Sequence, residues 1–361
     1  MPDYALYSPD VETIEPDEQE THNKIIQVMT EGQNITREKY GKAVRISHAK
    51  SHGLLKGELT ISPGLPSELA QGLFAEPGTH PVLIRLASAP GEFTDDSKLS
   101  TVRGMSIKVF NVQGAKLPPF EGIANQDFVL DTGKEFITGG AKAFLQAFKP
   151  NAEIAPKLSD NVKGAVSEVA RVTNKGLNAV GLNSQKLDFY GHEKNHPMAE
   201  SYYSQIALRY GKYIARLGVV PSAAVLQSLG AFDPETPDAL REATIAYFRT
   251  HGAEFDVQIQ LNTGLEGMPI EDAQAKWSEE ESPYRTVARI TIPAQNAYSA
   301  AREDFVDGDL SFSPAHTLVD HQPLGSVARA RLAAYTALAT LRRNENSRPQ
   351  LEPANLDQVP A

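Results

Sequence analysis

The chain has 361 residues, a formal net charge of −10 at pH 7 and no cysteine. Its 41% hydrophobic and 22% charged residues are those of a globular protein, which excludes disordered, collagen-like and coiled-coil classes. The lack of cysteine removes disulfides, zinc–thiolate sites, iron–sulfur clusters and thiol catalysis together, and the acidic balance disfavours nucleic acid as a partner.

The length allows one large domain or two ordinary ones, at about 150 residues each. No apolar run approaches the roughly 18 residues of a membrane span. Met1-Pro2-Asp3-Tyr4 lacks the basic and apolar regions of a secretory signal. A cytoplasmic protein without membrane insertion is therefore expected.

Residues 1–18 are acidic and aperiodic, which predicts an exposed arm. Ile25, Ile26, Met29 and Ile35 predict a helical stretch over 19–40, interrupted near Gly32. Strands are predicted at Leu54–Ile61, closed by Ser62-Pro63-Gly64, then at Val82–Ala87, Met105–Phe110 and Asp127–Leu130. Residues 134–182 read as mostly helical, with Ala141–Phe148 the clearest turn. Strands return at Ile206–Arg209 and Tyr213–Val220, followed by an amphipathic helix over Pro234–His251. Strands at Glu254–Asn262 and Tyr284–Ile292 precede a helix rich in Ala, Leu and Arg over Gly325–Asn344. The polar stretch 345–361 reads as a tail. Seven or eight antiparallel strands with inserted and appended helices predict an α+β protein centred on a β-barrel, with residues 19–344 as one domain.

His192-Glu193-Lys194-Asn195-His196 matches the H-E-x-x-H zinc pattern. That chemistry needs a helix, so that both imidazoles share one face. Gly191, Asn195 and Pro197 predict a loop instead. His48 and His52 also stand four apart, but Gly53 follows at once, and a metal pair is not expected.

The C-terminal helix carries a sharper signal. Arg331, Tyr335 and Arg342 fall within about 40° of one another on a helical wheel, and Tyr335 lies roughly 10 Å along the axis from Arg342. A solvated basic face with an incidental tyrosine is the plain alternative. The alanines at 330, 333, 334, 337 and 339 instead suggest a close-packed helix. A phenol, with a pKa of about 10, binds ferric iron as the phenolate. A guanidinium one turn away stabilises that anion and keeps its own proton. In Arg45-Ile46-Ser47-His48-Ala49-Lys50, the imidazole of His48 is a candidate to take a proton from one peroxide oxygen and return it to the other.

These residues resemble the haem catalase superfamily. Arg45-x-x-His48-Ala49-Lys50 is similar to its distal-histidine signature, and Arg331-x-x-x-Tyr335 to its proximal-tyrosine signature. Arg85-Leu86-Ala87, Arg103–Phe110, Glu254–Gln258, Met268–Ala273, Ser282-Pro283-Tyr284 and Val287–Pro293 resemble its barrel segments, in order, over roughly residues 40–343. Phe312–His316 and His321–Ser326 resemble the small catalase-related haem peroxidases.

The resemblance implies a catalase-type barrel, haem b, and reduction of hydrogen peroxide or an organic hydroperoxide through a ferryl intermediate, with the electron donor unidentified. It implies Tyr335 as the iron ligand, Arg331 as its support and His48 as the distal acid/base. Arg45, Arg85 and Arg342 would pair with the propionates, and Phe136 and Phe144 would pack on the porphyrin. The family's distal asparagine is replaced here by Asp131, with Thr132 next to it as an alternative donor. Ser47 stands where an apolar residue is usual, and a hydroxyl there can hydrogen-bond the imidazole. A fatty-acid-hydroperoxide isomerase on the same fold, and a haem binder without turnover, remain alternatives. The oligomeric state stays open.

Overall fold

The computed structural model describes residues 3–179, 184–349 and 351–361. Its centre is an antiparallel sheet of nine strands: β1 (Ser51–Ile61), β2 (Gly78–Ser88), β3 (Arg103–Val109), β4 (Gln126–Thr132), β5 (Tyr202–Tyr203), β6 (Leu208–Tyr210), β7 (Tyr213–Pro221), β8 (Ala253–Leu261) and β9 (Arg285–Ile292). β1 pairs with both β2 and β9. The two-residue β5 pairs with both β4 and β7 and closes the barrel. Eight strands thus form the ring, and β6 is a ninth, held on β7 through a hairpin turned by Gly211 at φ 59°. Closure leaves no long unpaired edge. Alternating side chains such as Leu59, Ile61, Ile84, Leu86, Ile107, Val109, Val257 and Ile259 fill the interior.

Three helices lie outside the barrel, α1 (Glu18–Tyr40), α2 (Ala141–Ile154) and α3 (Asp160–Asn178), with α1 packed on α2 and on the C-terminal helix, and α3 on the short helix that follows it. Short helices α4 (Gln185–Tyr190) and α5 (Ala223–Ser228), then α6 (Ala239–Thr250) and α7 (Ala300–Asp304), lead to the long α8 (Ser326–Glu345). Ile25 of α1, Ala141 of α2 and Ala330 of α8 form one apolar cluster. Ile46, Ala334 and Leu338 form the next, one turn along α8. The predicted break in α1 does not occur. A Cβ on Gly32 would lie 3.1 Å from that of Ala152, so this glycine permits the close approach of α2 instead of ending a helix.

The predicted strands are all present with shifted ends, except that Ile206–Arg209 is replaced by β5 and β6. The helical middle divides into α2 and α3 behind a loop over 133–140; residues 180–182 of that prediction lie outside the described residues.

The two ends are anchored. Ala5 N–H donates to the Asn262 carbonyl (2.8 Å), and Tyr7 N–H to that of Lys212 (2.9 Å). Arg329 on α8 gathers Glu12, Glu18 and Glu271, which fixes the first turn of that helix to the arm and to α1. The stretch expected to be a tail folds back over the barrel. Glu352 reaches the fully buried Lys108 (3.1 Å), which also meets Asp127 at 2.9 Å, and Val359 is buried.

Candidate functional site

Two adjoining cavities separate the helices from the barrel. The larger, about 460 Å³, is lined mainly by apolar side chains that include Met29, Phe136, Phe144, Phe148 and Ala334. The smaller, about 280 Å³, is lined by Arg45, Arg85, Arg342 and Arg343. Ser47, His48 and Tyr335 border both, so the two are halves of one cleft with an apolar and a cationic end. This brings together ten of the eleven residues singled out from the sequence.

α8 supplies the first group. Its helical repeat places Arg331 one turn before Tyr335, and Arg331 Nη2 donates to the phenol oxygen at 3.3 Å. Burial works against the charge of Arg331, but the Tyr335 oxygen beside it outweighs that effect and the guanidinium is held above its ordinary pKa. The alanine face of α8 explains how a phenol and a guanidinium enter an apolar interface: Ala330 and Ala334 let the helix approach α1 and α2 closely.

Glu352 lines the cationic end, and a second carboxylate, Asp307, is held by its arginines. Arg45 donates to Asp307 Oδ1 (2.9 Å) and to the Leu310 carbonyl (2.9 Å); Arg85 Nη2 stands 3.9 Å from the same carboxylate. Asp307 is presented by a π-helical turn, Phe305–Asp309, immediately after α7. Arg342 Nη2 donates to the Leu310 carbonyl at 3.2 Å, while its buried Nε has no partner among the described residues. Burial and then the charge of Arg45 pull Arg85 down to about 9, and the same two causes pull Arg342 well below its ordinary value. A guanidinium keeps its proton in a protein. These depressions therefore express an excess of buried positive charge, which an anion in the cleft would relieve.

The distal side is built by the barrel. His48 precedes β1 with φ 55°, a left-handed backbone in which histidine is among the better tolerated residues. Its N–H donates to the Ala89 carbonyl at 2.8 Å, and its own carbonyl accepts from Arg85 Nη2 at 2.5 Å. The imidazole lies against Gly104: a Cβ there would be 2.6 Å from both Nδ1 and Cε1. Gly104 pairs with Asp131 across the β3–β4 ladder, which brings the carboxylate to the same ring. His48 Nε2 and Asp131 Oδ1 are 3.1 Å apart, but the ring N–H is not aligned with the oxygen. Asp131 Oδ1 and His48 Nδ1 are buried and make no hydrogen bond among the described residues.

Two expectations need correction. Thr132, the alternative donor, points away from Asp131 as the alternation of a strand requires. Its Oγ1 accepts from the Arg103 N–H (3.1 Å), and it lines neither cavity. Ser47 borders the cleft, but its hydroxyl donates to the Ala89 carbonyl (3.1 Å) and not to the imidazole.

The H-E-x-x-H segment is a loop, as predicted. His192 sits between Asp188 and Glu200, 2.9 Å from each, and His196 Nδ1 accepts from the Met198 N–H. His52 is buried against Ser88 Oγ (2.8 Å). No group of three or more His, Asp or Glu placed to hold a metal occurs among the described residues.

Three contributors escaped the sequence reading. Arg343 stood next to Arg342 and could have been found by charge alone. Gly104 lay within a quoted motif without a role. Asp307 had no local signal, because only the π-turn brings it to the arginines.

No protein-family model and no curated protein matches the chain. Among solved structures it superposes on a fungal catalase with a TM-score of 0.57 at 17% identity, covering 86% of this chain and 61% of that one. It superposes on catalase A from Saccharomyces cerevisiae (0.58, 15% identity, 85% and 62%) and on a bacterial catalase (0.56, 14% identity, 90% and 60%). The chain thus spans about three-fifths of the length of these catalases. A closed eight-stranded barrel with one added strand and flanking helices, superposing on three catalases over more than four-fifths of its length, gives this protein a catalase-like fold.

Proposed function

We propose that the cleft binds haem b and that the protein is a peroxidase of the catalase-related kind, acting on hydrogen peroxide or an organic hydroperoxide. The observation that carries this is the pairing of Tyr335, backed by Arg331, with His48 on the borders of the same cleft.

The residues present fit the cofactor. A phenol whose anion is stabilised by a neighbouring guanidinium suits ferric iron as an oxygen ligand. The apolar half, with Phe136 and Phe144 5.7 Å apart between ring centres, suits a macrocycle. The cationic half, with Arg342 Nε unpaired among the described residues, suits two carboxylates. Tyr335 would hold the iron, and Arg45, Arg85 and Arg342 the propionates. When bound, haem supplies a redox-active iron at which an oxygen–oxygen bond is broken.

The chain's own contribution is proton handling. His48 takes the proton from the inner oxygen of the hydroperoxide and delivers it to the outer one, which leaves as water or an alcohol. Overall, a hydroperoxide ROOH, two electrons and two protons give ROH and water: the two electrons come from an external reductant, the two protons from that reductant or from water, and the inner oxygen leaves as water. Asp131, when ionised, only accepts hydrogen bonds, so donation to the peroxide falls to His48. With hemin bound, His48→Ala slows reaction with peroxide by about 100-fold or more; stopped-flow absorbance checks this, and an unchanged rate would remove His48 from the role.

A second reading, isomerisation of a fatty-acid hydroperoxide, is favoured by the apolar cavity, which reaches Ile154 and Leu158. A rate with a fatty-acid hydroperoxide that is orders of magnitude below that with hydrogen peroxide would eliminate it. A haem spectrum indifferent to both substrates would leave binding without turnover.

A further inference from the structure

Helix α3 is inside out. Its side toward the protein carries Lys163, Ser167, Ala170 and Asn174, all buried. Its side toward solvent carries Val162, Val166, Val169 and Val172, with Val169 and Val172 67% and 61% exposed. A surface helix ordinarily shows the reverse pattern. The polar side is committed to the fold: Lys163 Nζ meets the buried Glu92 at 2.7 Å, Ser167 Oγ donates to the Ser100 carbonyl at 3.2 Å, and Asn174 Oδ1 accepts from the Ser184 N–H at 3.1 Å. The helix cannot roll to bury its valines without breaking these bonds.

The stripe continues into the cleft. Ile154, Leu158 and Val166 line the larger cavity and are also exposed, so the mouth of that cavity is apolar and opens beside the valines. Residues 141–179 hold six basic and three acidic side chains in a chain of net charge −10; Lys142, Lys163 and Arg171 are paired with Glu15 and Asp17, with Glu92 and with Glu168 respectively, while Lys157 and Lys175 are exposed near the stripe. No helix of the described residues is long and apolar enough to cross a membrane.

We infer that the exposed face of α3, with Ile154 and Leu158, is a docking surface for an anionic lipid bilayer, and that it lays the mouth of the cleft on the membrane. Valines enter the boundary between headgroups and acyl chains while the flanking lysines meet anionic headgroups, as in an interfacial amphipathic helix. Charge favours this occupant. So does size: Val162 to Val172 span about 15 Å of a helix about 10 Å wide. That footprint, on the order of 150–300 Å² with its neighbours, is far below the ~800 Å² per partner of a stable dimer. The inference rests on α3 and the cavity mouth, not on haem, so its failure leaves the proposed function standing.

The test is co-sedimentation of the full chain with vesicles of phosphatidylcholine and phosphatidylglycerol. The wild type is expected to pellet with them. The double variant Val169→Asp/Val172→Asp, which replaces no cavity-lining residue, is expected to lose at least about tenfold in affinity. Val162→Ser/Val169→Ser gives a smaller loss and serves if the charged variant misfolds. Lys157→Glu/Lys175→Glu is expected to weaken pelleting as well. A wild type that stays in the supernatant at every lipid concentration overturns the inference. So does a wild-type dimer, seen by light scattering, that the aspartate variant splits, because the face would then belong to a second copy.

Discussion

The imidazole of His48 is placed by a residue that has no side chain. Gly104 leaves room for the ring where any Cβ would meet it at 2.6 Å, and an atom cannot be accommodated there without moving the ring or the strand. Gly104→Ala is therefore expected to retain hemin binding, which the proposal assigns to Tyr335 and the arginines, and to slow peroxide reaction by roughly tenfold or more, since small misplacement of a catalytic group costs orders of magnitude. Hemin titration and stopped-flow absorbance on one preparation separate the two effects. A variant with both properties unchanged would show that the ring is held elsewhere. Asp131 shows the limit of reading a single position. The resemblance to haem catalases sets it opposite their distal asparagine, but only the β3–β4 register shows that it meets the same ring as Gly104.

At the scale of elements, α4 is tied through His192 to the turn that precedes β5. Burial opposes a charge on this imidazole, but hydrogen bonds to Asp188 and Glu200 outweigh it and push the pKa up to about 9. The ordinary value is about 6.5. A raised folded-state pKa contributes stability that is full below about 6.5 and fades as the pH climbs through 9. The melting temperature of the wild type, compared with His192→Gln by calorimetry, should show an advantage at pH 6 that shrinks toward pH 10. A difference that stays constant across this range would contradict the charged pair. The sequence reading dismissed this segment as a zinc site because glycine and proline break the helix that zinc needs. The same reasoning could not find its partners, which come from α4 and from the turn that precedes β5. Long periodic elements such as β1, β7, β8 and α8 were legible because alternation or helical spacing repeats within them. β5, α4, α5 and α7 are too short to show a period.

Across the whole molecule, the cleft is assembled from segments that only barrel closure brings together: α1 and His48 from one end of the chain, α2 from an insertion, and α8 from the other end. The proximal stripe was legible because Arg331, Tyr335 and Arg342 lie on one helix. The cationic half was legible only in part, because Asp307 depends on a π-turn and Glu352 on a terminal stretch that folds back over β3 and β4. The central claim is that Tyr335 is an iron ligand in this cleft. Titration of the protein with hemin, followed by optical absorption, tests it most directly. The wild type is expected to bind one equivalent and to give the high-spin ferric spectrum of tyrosinate ligation, and Tyr335→Phe to lose that spectrum while His48→Ala keeps it. No hemin uptake by the wild type, or an identical spectrum from Tyr335→Phe, would contradict the assignment.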